Sequence, residues 1–249
     1  MSECKTILIC GGVSRAGLDI ADKLIEAGHK CIVAGRRHPE REALDPNMHY
    51  EHVDFSDSES IDDFCKKISS GEFSISDCIF NQRSRSEDLL EGMKVSVVST
   101  VQVIESIEDQ LIKNKGSIVY IGSILGDKTD VEQTLSYHIQ KGSLKPLIQY
   151  LSVKYSQKGI NVNLISLSTL QHSKNILGYQ EGKILHKISK NMIPIGRPIS
   201  SEDVFNTITF LTSASMKGLT GQVITLDGGL DNLSQVSCIT GWNKVMEER

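Results

Sequence analysis

The sequence predicts an α/β domain in which a doubly wound parallel sheet of about seven strands carries helices on both faces. Short runs that are apolar throughout and rich in β-branched residues alternate with longer helical patterns along the chain. This alternation is typical of parallel strands that are buried on both faces. A length of 249 residues suits one core of this kind. We therefore predict a single domain over residues 1–249.

The first half of the chain alternates strand and helix patterns from its beginning. Strands are predicted for TILIC at 6–10, CIVAG at 31–35, HYEHVDF at 49–55 and DCIFN at 77–81. A helix over 17–28 closes with Gly28, where glycine is favoured after a helix end, and a second helix over 56–68 opens with capping residues. A longer helical pattern covers 89–112.

The second half continues the alternation and contains one irregular stretch. Strands are predicted for SIVYIGS at 117–123, NVNLIS at 161–166 and QVITL at 222–226, with helices over 132–157 and 200–213. Residues 167–199 show neither a clear strand nor a core helix, so we expect them to form a substrate lid. In sheets of this type, ligands bind beyond the carboxyl ends of the strands.

Composition and charge narrow the possible partners. The formal net charge of -4 gives no reason to expect nucleic acid or an anionic membrane as a partner. No secretory signal and no apolar run of membrane-spanning length is visible, so we expect a cytoplasmic protein. The six cysteines are dispersed without a C-x-x-C pair, and we therefore expect reduced thiols and no metal site.

A glycine-rich turn, CGGVSRAG at 10–17, joins the first strand to the first helix. In that position Gly11 would allow the tight turn and Gly17 a close approach of helix and strand. Backbone N–H groups at the start of such a helix bind phosphate. A glycine-rich turn without a ligand is the alternative, but its place between a strand and a helix favours a dinucleotide.

Two arginines suggest which dinucleotide binds. Arg36 and Arg37 follow the second strand, where a fold that prefers NAD usually carries an acidic residue. Basic side chains suit a ribose 2′-phosphate, and Ser14 and Arg15 in the glycine-rich turn would add to that site. All of these could instead be surface residues, but their occurrence in both loops favours NADP(H).

The segment YHIQK at 137–141 places Tyr137 and Lys141 one helical turn apart, and therefore on one helix face. Alone the pair proves little. Over nearly its whole length, however, the chain resembles the short-chain dehydrogenase/reductase family, which has a single-domain Rossmann fold. The resemblance rests on the glycine-rich turn, Asp54, Asn81, Ser123 in GSILG, the Y-x-x-x-K pair and a closing segment at 196–229.

The resemblance implies a role for each of these residues. Tyr137 would be the general acid or base, and Lys141 would favour ionisation of the phenol and bind the nicotinamide ribose. Ser123 would donate a hydrogen bond to the substrate oxygen. Asp54 and Asn81 would belong to the cofactor site. The family also implies a homo-oligomer, a dimer or a homotetramer.

Departures from the family pattern leave alternatives open. Arg15 replaces the middle glycine, as in the pteridine-reductase branch, although that branch typically has Asp where this chain has Ser123. The family's N-N-A-G has become N-Q-R-S at 81–84, which places Arg83 near cofactor or substrate. Ser96 stands where the family has its catalytic Asn, so we include Ser96 among the catalytic residues. Leu167-Ser168 replaces a Pro-Gly pair.

These observations together predict an NADPH-dependent reductase that transfers hydride to the carbonyl of a small molecule. The alternatives within that class are a 3-oxoacyl-carrier reductase and a pteridine reductase. A further alternative is a catalytically impaired nucleotide-binding scaffold or sensor, because several family residues are replaced.

Overall fold

The computed structural model describes residues 4–39, 44–173 and 175–248. Its strands are β1 (Thr6–Cys10), β2 (Lys30–Gly35), β3 (Met48–His52), β4 (Ile75–Phe80), β5 (Ser117–Ile121), β6 (Asn161–Leu167), β7 (Leu170–Gln171), β8 (Ile199–Ser200) and β9 (Val223–Leu226). Seven of them form one sheet in the order β3-β2-β1-β4-β5-β6-β9, and every neighbouring pair is parallel. The predicted parallel sheet of about seven strands is confirmed.

Helices cover both faces of this sheet. They are α1 (Arg15–Glu26), α2 (Ser58–Ser69), α3 (Leu89–Met93), α4 (Ser99–Ser106), α5 (Glu108–Lys113), α6 (Leu135–Gly142), α7 (Leu144–Ser156), α8 (Ile184–Met192), α9 (Ser201–Leu211) and α10 (Gln235–Glu247). Successive strand residues point to opposite faces. Leu8 therefore packs in a core with Phe64 of α2, whereas Ile9 packs in another with Leu24 of α1 and Ile208 of α9. Two cores explain why the strand sequences are apolar throughout.

Two predicted helices are less regular than expected. The pattern over 89–112 is divided by a π-helical turn at Lys94–Val98 and by a break at Ile107. The pattern over 132–157 begins only at Leu135, where the Thr134 side chain caps the helix, and a turn at Ser143 divides it. Periodicity could not reveal these interruptions, because the apolar spacing continues across them.

Residues 167–199 contain regular structure, which corrects the expectation that they hold neither a strand nor a core helix. They contain a 3-10 turn at Ile176–Tyr179 and the helix α8, which packs against α10. β7 pairs in parallel with β8, so the two ends of the segment are joined. Lys174, within the predicted lid, lies outside the described residues. No helix in the described ranges is long and apolar enough to cross a membrane.

A buried ion pair stabilises the amino edge of the sheet, opposite the strand ends at which ligands are expected. Asp77 on β4 is 1% exposed. One of its carboxylate oxygens accepts from Lys5 Nζ at 2.8 Å and the other from the Ser117 backbone N–H at 2.7 Å. Lys5 Nζ also donates to the carbonyl of Thr212 at 2.7 Å. Asp77 thus connects β4 to the start of β5, and through Lys5 to the end of α9.

We predict that Asp77→Ala lowers the free energy of unfolding by about 3 kcal/mol, because it leaves Lys5 and the Ser117 N–H without their partner. Chemical denaturation would measure this. Asp63→Ala is the matched control: it removes an exposed pair with Lys66, 3.0 Å long, and should cost roughly 0.5 kcal/mol or less. Equal losses in the two variants would contradict the assignment.

Candidate active site

A cleft of about 700 Å³ opens where the carboxyl ends of the strands meet. Its volume lies within the usual range for small-molecule and cofactor sites. Ten of the residues predicted for the site line it: Gly11, Ser14, Arg15, Arg36, Arg37, Asp54, Asn81, Ser123, Tyr137 and Lys141. Gly17 and Ser96 were also predicted for the site and are not among its lining residues.

The glycine-rich turn is shaped by two close approaches. Gly11 has φ of +75°, and a Cβ there would lie 2.6 Å from the backbone N of Gln82. A Cβ on Gly17 would lie 2.7 Å from Gly12 Cα. Gly17 therefore permits tight packing of α1 against the turn rather than contact with a ligand, while Gly11 permits β1 and the loop after β4 to meet at the cleft.

Ser14 connects the two loops at this end of the cleft. Its Oγ accepts from the Gly17 N–H at 3.1 Å, which caps α1, and from Asn81 Nδ2 at 3.0 Å. The amino end of α1, with its positive partial charge, consequently faces the cleft beside Arg15. This arrangement can hold a phosphate group.

The loops after β2 and β3 carry opposite charges at the same end. Arg36 Nη1 lies 3.8 Å from Asp54 Oδ2, and the Arg36 side chain is 63% exposed. Partial burial of Asp54 favours its neutral form, but hydrogen bonds from Ser56 and the charge of Arg36 outweigh this effect and lower the pKa of Asp54. The weakly held Arg36 and the exposed Arg37 are free to turn toward a bound phosphate.

The opposite end of the cleft holds the Tyr–Lys pair. Both side chains belong to α6, one turn apart, and the hydroxyl of Thr134 fixes the start of that helix by accepting from the Tyr137 N–H at 3.1 Å. Lys141 is 8% exposed and its Nζ donates to the carbonyl of Ile121 at 3.2 Å. Burial, and secondarily the charge of Arg83, lowers the pKa of Lys141 to about 8.

Ser123 completes this end of the cleft just beyond β5. The residue is half-buried, and its Oγ accepts from the Leu125 N–H at 3.2 Å. Its hydroxyl hydrogen is therefore available to another acceptor. Ser123, Tyr137 and Lys141 line one cleft, as the Y-x-x-x-K pattern and the upstream serine suggested.

His138 ties the loop after Ser123 to α6, which the sequence analysis did not anticipate. Its Nδ1 and Nε2 each lie 2.9 Å from a backbone carbonyl oxygen, of Leu125 and Asp130 respectively, and Nε2 is 3.3 Å from the Asp130 amide. The backbone contacts with Asp130 and Leu125 favour the protonated ring and raise the pKa of His138. The only sequence signal was a histidine directly after Tyr137.

Ser96 is close to α6 but lies beneath the cleft. It is 5% exposed and lies in the π-helical turn, and its Oγ donates to Gln140 Oε1 at 2.9 Å. Gln140 is fully buried; its Oε1 also accepts from the Ser84 N–H, and its amide donates to Ser136. The structure thus joins Ser96 to a buried glutamine network instead of to Lys141. The sequence shows a glutamine directly before the lysine, but no local pattern links that glutamine to Ser96.

The loops after β4 and β6 each bring to the cleft a polar atom that has no hydrogen-bond partner. Gln82 Oε1 and Ser168 Oγ are buried and have no hydrogen-bond partner within the described residues. Both residues line the cleft. Buried polar atoms without partners are costly, so their presence here fits a polar ligand that would approach them. The site residues therefore fit a dinucleotide.

Comparisons with known proteins identify relatives of this chain. The family model described as enoyl-(acyl carrier protein) reductase matches residues 14–231. The 3-oxoacyl-[acyl-carrier-protein] reductase FabG of Buchnera aphidicola subsp. Schizaphis graminum is 30% identical over 245 residues, which cover 92% of this chain and 98% of that protein.

Solved structures share the fold. A 3-oxoacyl (acyl-carrier-protein) reductase from Agrobacterium tumefaciens with NADP bound has a TM-score of 0.77 at 20% identity, covering 90% of this chain and 93% of its own. A short chain dehydrogenase from Leptospira borgpetersenii with bound NAD+ has a TM-score of 0.76 at 21% identity, covering 92% and 93%. Since the family model and the Buchnera relative extend over most of its length, the chain belongs to the short-chain dehydrogenase/reductase family of oxidoreductases.

Proposed function

We propose that this protein is an NADPH-dependent reductase that transfers hydride to the carbonyl of a small-molecule substrate. The observation that carries the proposal is the single cleft that Ser123, Tyr137 and Lys141 line together with the glycine-rich turn and Arg36. A dinucleotide held along this cleft would have its phosphates at the amino end of α1 and its reactive ring near the tyrosine.

Each polar side chain has a separate task in this proposal. Bound NADPH would supply the hydride that the carbonyl carbon receives. Tyr137 would donate a proton to the carbonyl oxygen, so that the product is an alcohol. Lys141 would hold a positive charge beside the phenol and favour its ionised form after the proton has left. Ser123 would donate a hydrogen bond to the oxygen as negative charge develops on it.

The preference for NADP(H) rests on the charges at the adenosine end. Arg36 and Arg37 follow β2 and Arg15 starts α1, and all three arginines line the cleft in which a ribose 2′-phosphate would lie. Arginine forms paired, charge-assisted hydrogen bonds with phosphate oxygens. Neighbours of the same fold include one with NADP and one with NAD+, so this chain's own arginines are the support for the preference.

One other substrate class has a specific observation in its favour. The Buchnera relative is a 3-oxoacyl-[acyl-carrier-protein] reductase and aligns along nearly its whole length, which favours a 3-oxoacyl thioester as the second candidate.

In either case residues 167–199 would act as the lid over the substrate. A homo-oligomer is part of the proposal, since apolar side chains on α10, including Trp242 at 44% exposed, lie on the surface.

Removing a guanidinium at the adenosine end tests the cofactor. We predict that Arg36→Ala weakens NADPH binding about tenfold, because a hydrogen bond to a charged group contributes roughly 1.5–3 kcal/mol. NADH affinity should change far less and serves as the internal control. Fluorescence titration of both cofactors would measure this. Tighter binding of NADH than of NADPH by the unaltered protein would refute the preference.

Removing one hydroxyl tests the general acid. We predict that Tyr137→Phe lowers kcat for carbonyl reduction about 10²- to 10⁴-fold, while NADPH still binds. Tyr150→Phe is the matched control, since that tyrosine is 68% exposed on α7, and it should retain full turnover. Equal residual rates in Tyr137→Phe and in the unaltered enzyme would favour a scaffold or sensor instead.

The ionisation of Lys141 predicts a pH dependence. Because its pKa in the free protein is lowered to about 8, the charge is present below that pH and is lost as the pH rises through it. We therefore expect kcat/KM for NADPH to fall above pH 8, well before an ordinary lysine near 10.4 would titrate. Lys141→Arg keeps its charge at alkaline pH. If active, it should lack this fall; a fall at the same pH would implicate another group.

A further inference from the structure

Arg83 lies at the catalytic end of the cleft and has no task in the proposed reaction. Its guanidinium carbon is 5.7 Å from the centre of the Tyr137 ring. The side chain is exposed, lines the cleft, and forms no ion pair within the described ranges. A positive charge therefore stands uncompensated beside the phenol that would meet the substrate carbonyl.

The carboxylates of the cleft are engaged elsewhere. Among the described residues that line the cleft, Asp54 and Glu91 are the acidic ones. Asp54 is held by Ser56 and Arg36 at the adenosine end. Glu91 Oε1 accepts from the Ser84 hydroxyl at 2.7 Å. Neither of them forms an ion pair with Arg83.

The charge of Arg83 also acts on its neighbour Lys141. After burial, it is the second cause that lowers the pKa of that lysine. Two cations at one end of a partly enclosed cleft repel each other, and that repulsion disfavours the lysine charge on which the proposed reduction depends. An anion bound to the guanidinium would offset it.

We propose that Arg83 binds an anionic group of the substrate, so that this enzyme reduces a carbonyl compound with a carboxylate or phosphate a few bonds from the reacting carbonyl. The inference rests on the proposed reductase function. The guanidinium fork pairs with either group through two parallel hydrogen bonds. Its nearness to the Tyr137 ring limits how far the anion lies from the carbonyl. A 3-oxoacyl thioester, the second candidate, carries no anionic group a few bonds from its carbonyl, so dependence of turnover on Arg83 distinguishes the two substrate classes.

The proposal also links binding to chemistry. An anionic substrate that neutralises Arg83 raises the pKa of Lys141 and keeps its ammonium charged, whereas a neutral carbonyl compound leaves the repulsion in place. Arg83 would therefore determine specificity in two ways, by direct binding and through the lysine. The family's N-N-A-G has a small residue at this position, which offers neither direct binding of an anion nor an effect on the lysine.

Two pairs of probes test this: acetoacetate against methyl acetoacetate, and dihydroxyacetone phosphate against dihydroxyacetone. In the unaltered enzyme we expect one charged member to have a kcat/KM at least about tenfold above its neutral partner. Arg83→Ala should abolish this ratio, and Arg83→Lys should keep part of it. Arg85→Ala, which removes an arginine that lines the same cleft but does not lie over the Tyr137 ring, should change it far less. The favoured pair distinguishes carboxylate from phosphate.

A second measurement separates this inference from the reductase proposal. Calorimetric titration of the same compounds into Tyr137→Phe with NADP+ reports binding without turnover. If the unaltered enzyme and Arg83→Ala both turn over the probes with equal charged-to-neutral ratios of kcat/KM, the inference is wrong and the reductase proposal stands. If the anionic probes bind more tightly than the neutral ones only when Arg83 is present, and the unaltered enzyme shows no turnover, anion binding by Arg83 is supported and the reductase proposal is wrong. The absence of binding and turnover for both anions overturns the inference, and so does weaker NADPH binding by Arg83→Ala, which would assign the arginine to the cofactor instead of the substrate.

The pH profile provides a readout that a merely structural arginine would not move. Because the Arg83 charge lowers the pKa of Lys141, Arg83→Ala should shift the alkaline limb of kcat/KM for NADPH to higher pH. Arg85→Ala should leave the limb in place. If kcat/KM for NADPH falls at the same alkaline pH in the unaltered enzyme and in both variants, Arg83 does not act on the lysine, and the link between binding and chemistry is wrong.

Discussion

The parallel direction of the seven strands is the constraint on which the rest of the molecule depends. The central strands β1, β4, β5 and β6 are buried on both faces by helices, so their interiors are apolar and the functional side chains lie on the loops and helix ends at one edge. Parallel strands place all their carboxyl ends together. The glycine-rich turn, the arginines after β2 and the serine after β5 therefore meet in one cleft although they are far apart in sequence.

Charge is divided along that cleft. Arg36 and Asp54 form a loose pair at the adenosine end, where exposed cations can reorganise around a phosphate. At the other end, Lys141 is buried against the carbonyl of Ile121, and Arg83 lies over the tyrosine. The first end resembles an adjustable binding site, while the second brings a buried lysine and an exposed arginine into a mutually unfavourable arrangement. Asp54 and Lys141 are residues on which the family resemblance rests, whereas Arg83 is one of this chain's departures from the family pattern.

The fold and the core of the site follow from local sequence patterns. Strand and helix periods identify all seven strands of the sheet, and the spacing of Tyr137 and Lys141 fixes their common face because four residues make about one helical turn. Gly11 was found because it immediately follows the first strand, whereas Ser123 was found through the resemblance to the family. These features depend on a few consecutive residues, and for that reason a single sequence predicts them well.

The surroundings of Ser96 depend on contacts that no local pattern encodes. α3 and α6 approach so closely that a Cβ on Gly92 would lie 2.5 Å from the Ser136 hydroxyl, and this packing brings Gln140 to Ser96. The same holds for His138, whose ring meets carbonyls 8 and 13 residues earlier in the chain. Such hydrogen bonds arise from tertiary packing, so neither the family pattern nor helical spacing could assign them.

The position of His138 has a consequence for how the cleft responds to its medium. A doubly protonated imidazole can donate to both backbone oxygens, and it thereby joins the loop carrying Ser123 to the helix carrying Tyr137. Since the pKa of His138 is raised in the folded chain, the doubly protonated ring persists to higher pH than in an ordinary histidine, and a ring that has lost one proton still donates through its other nitrogen. The loop that carries Ser123 and the helix that carries Tyr137 therefore stay joined through His138 on either side of that titration.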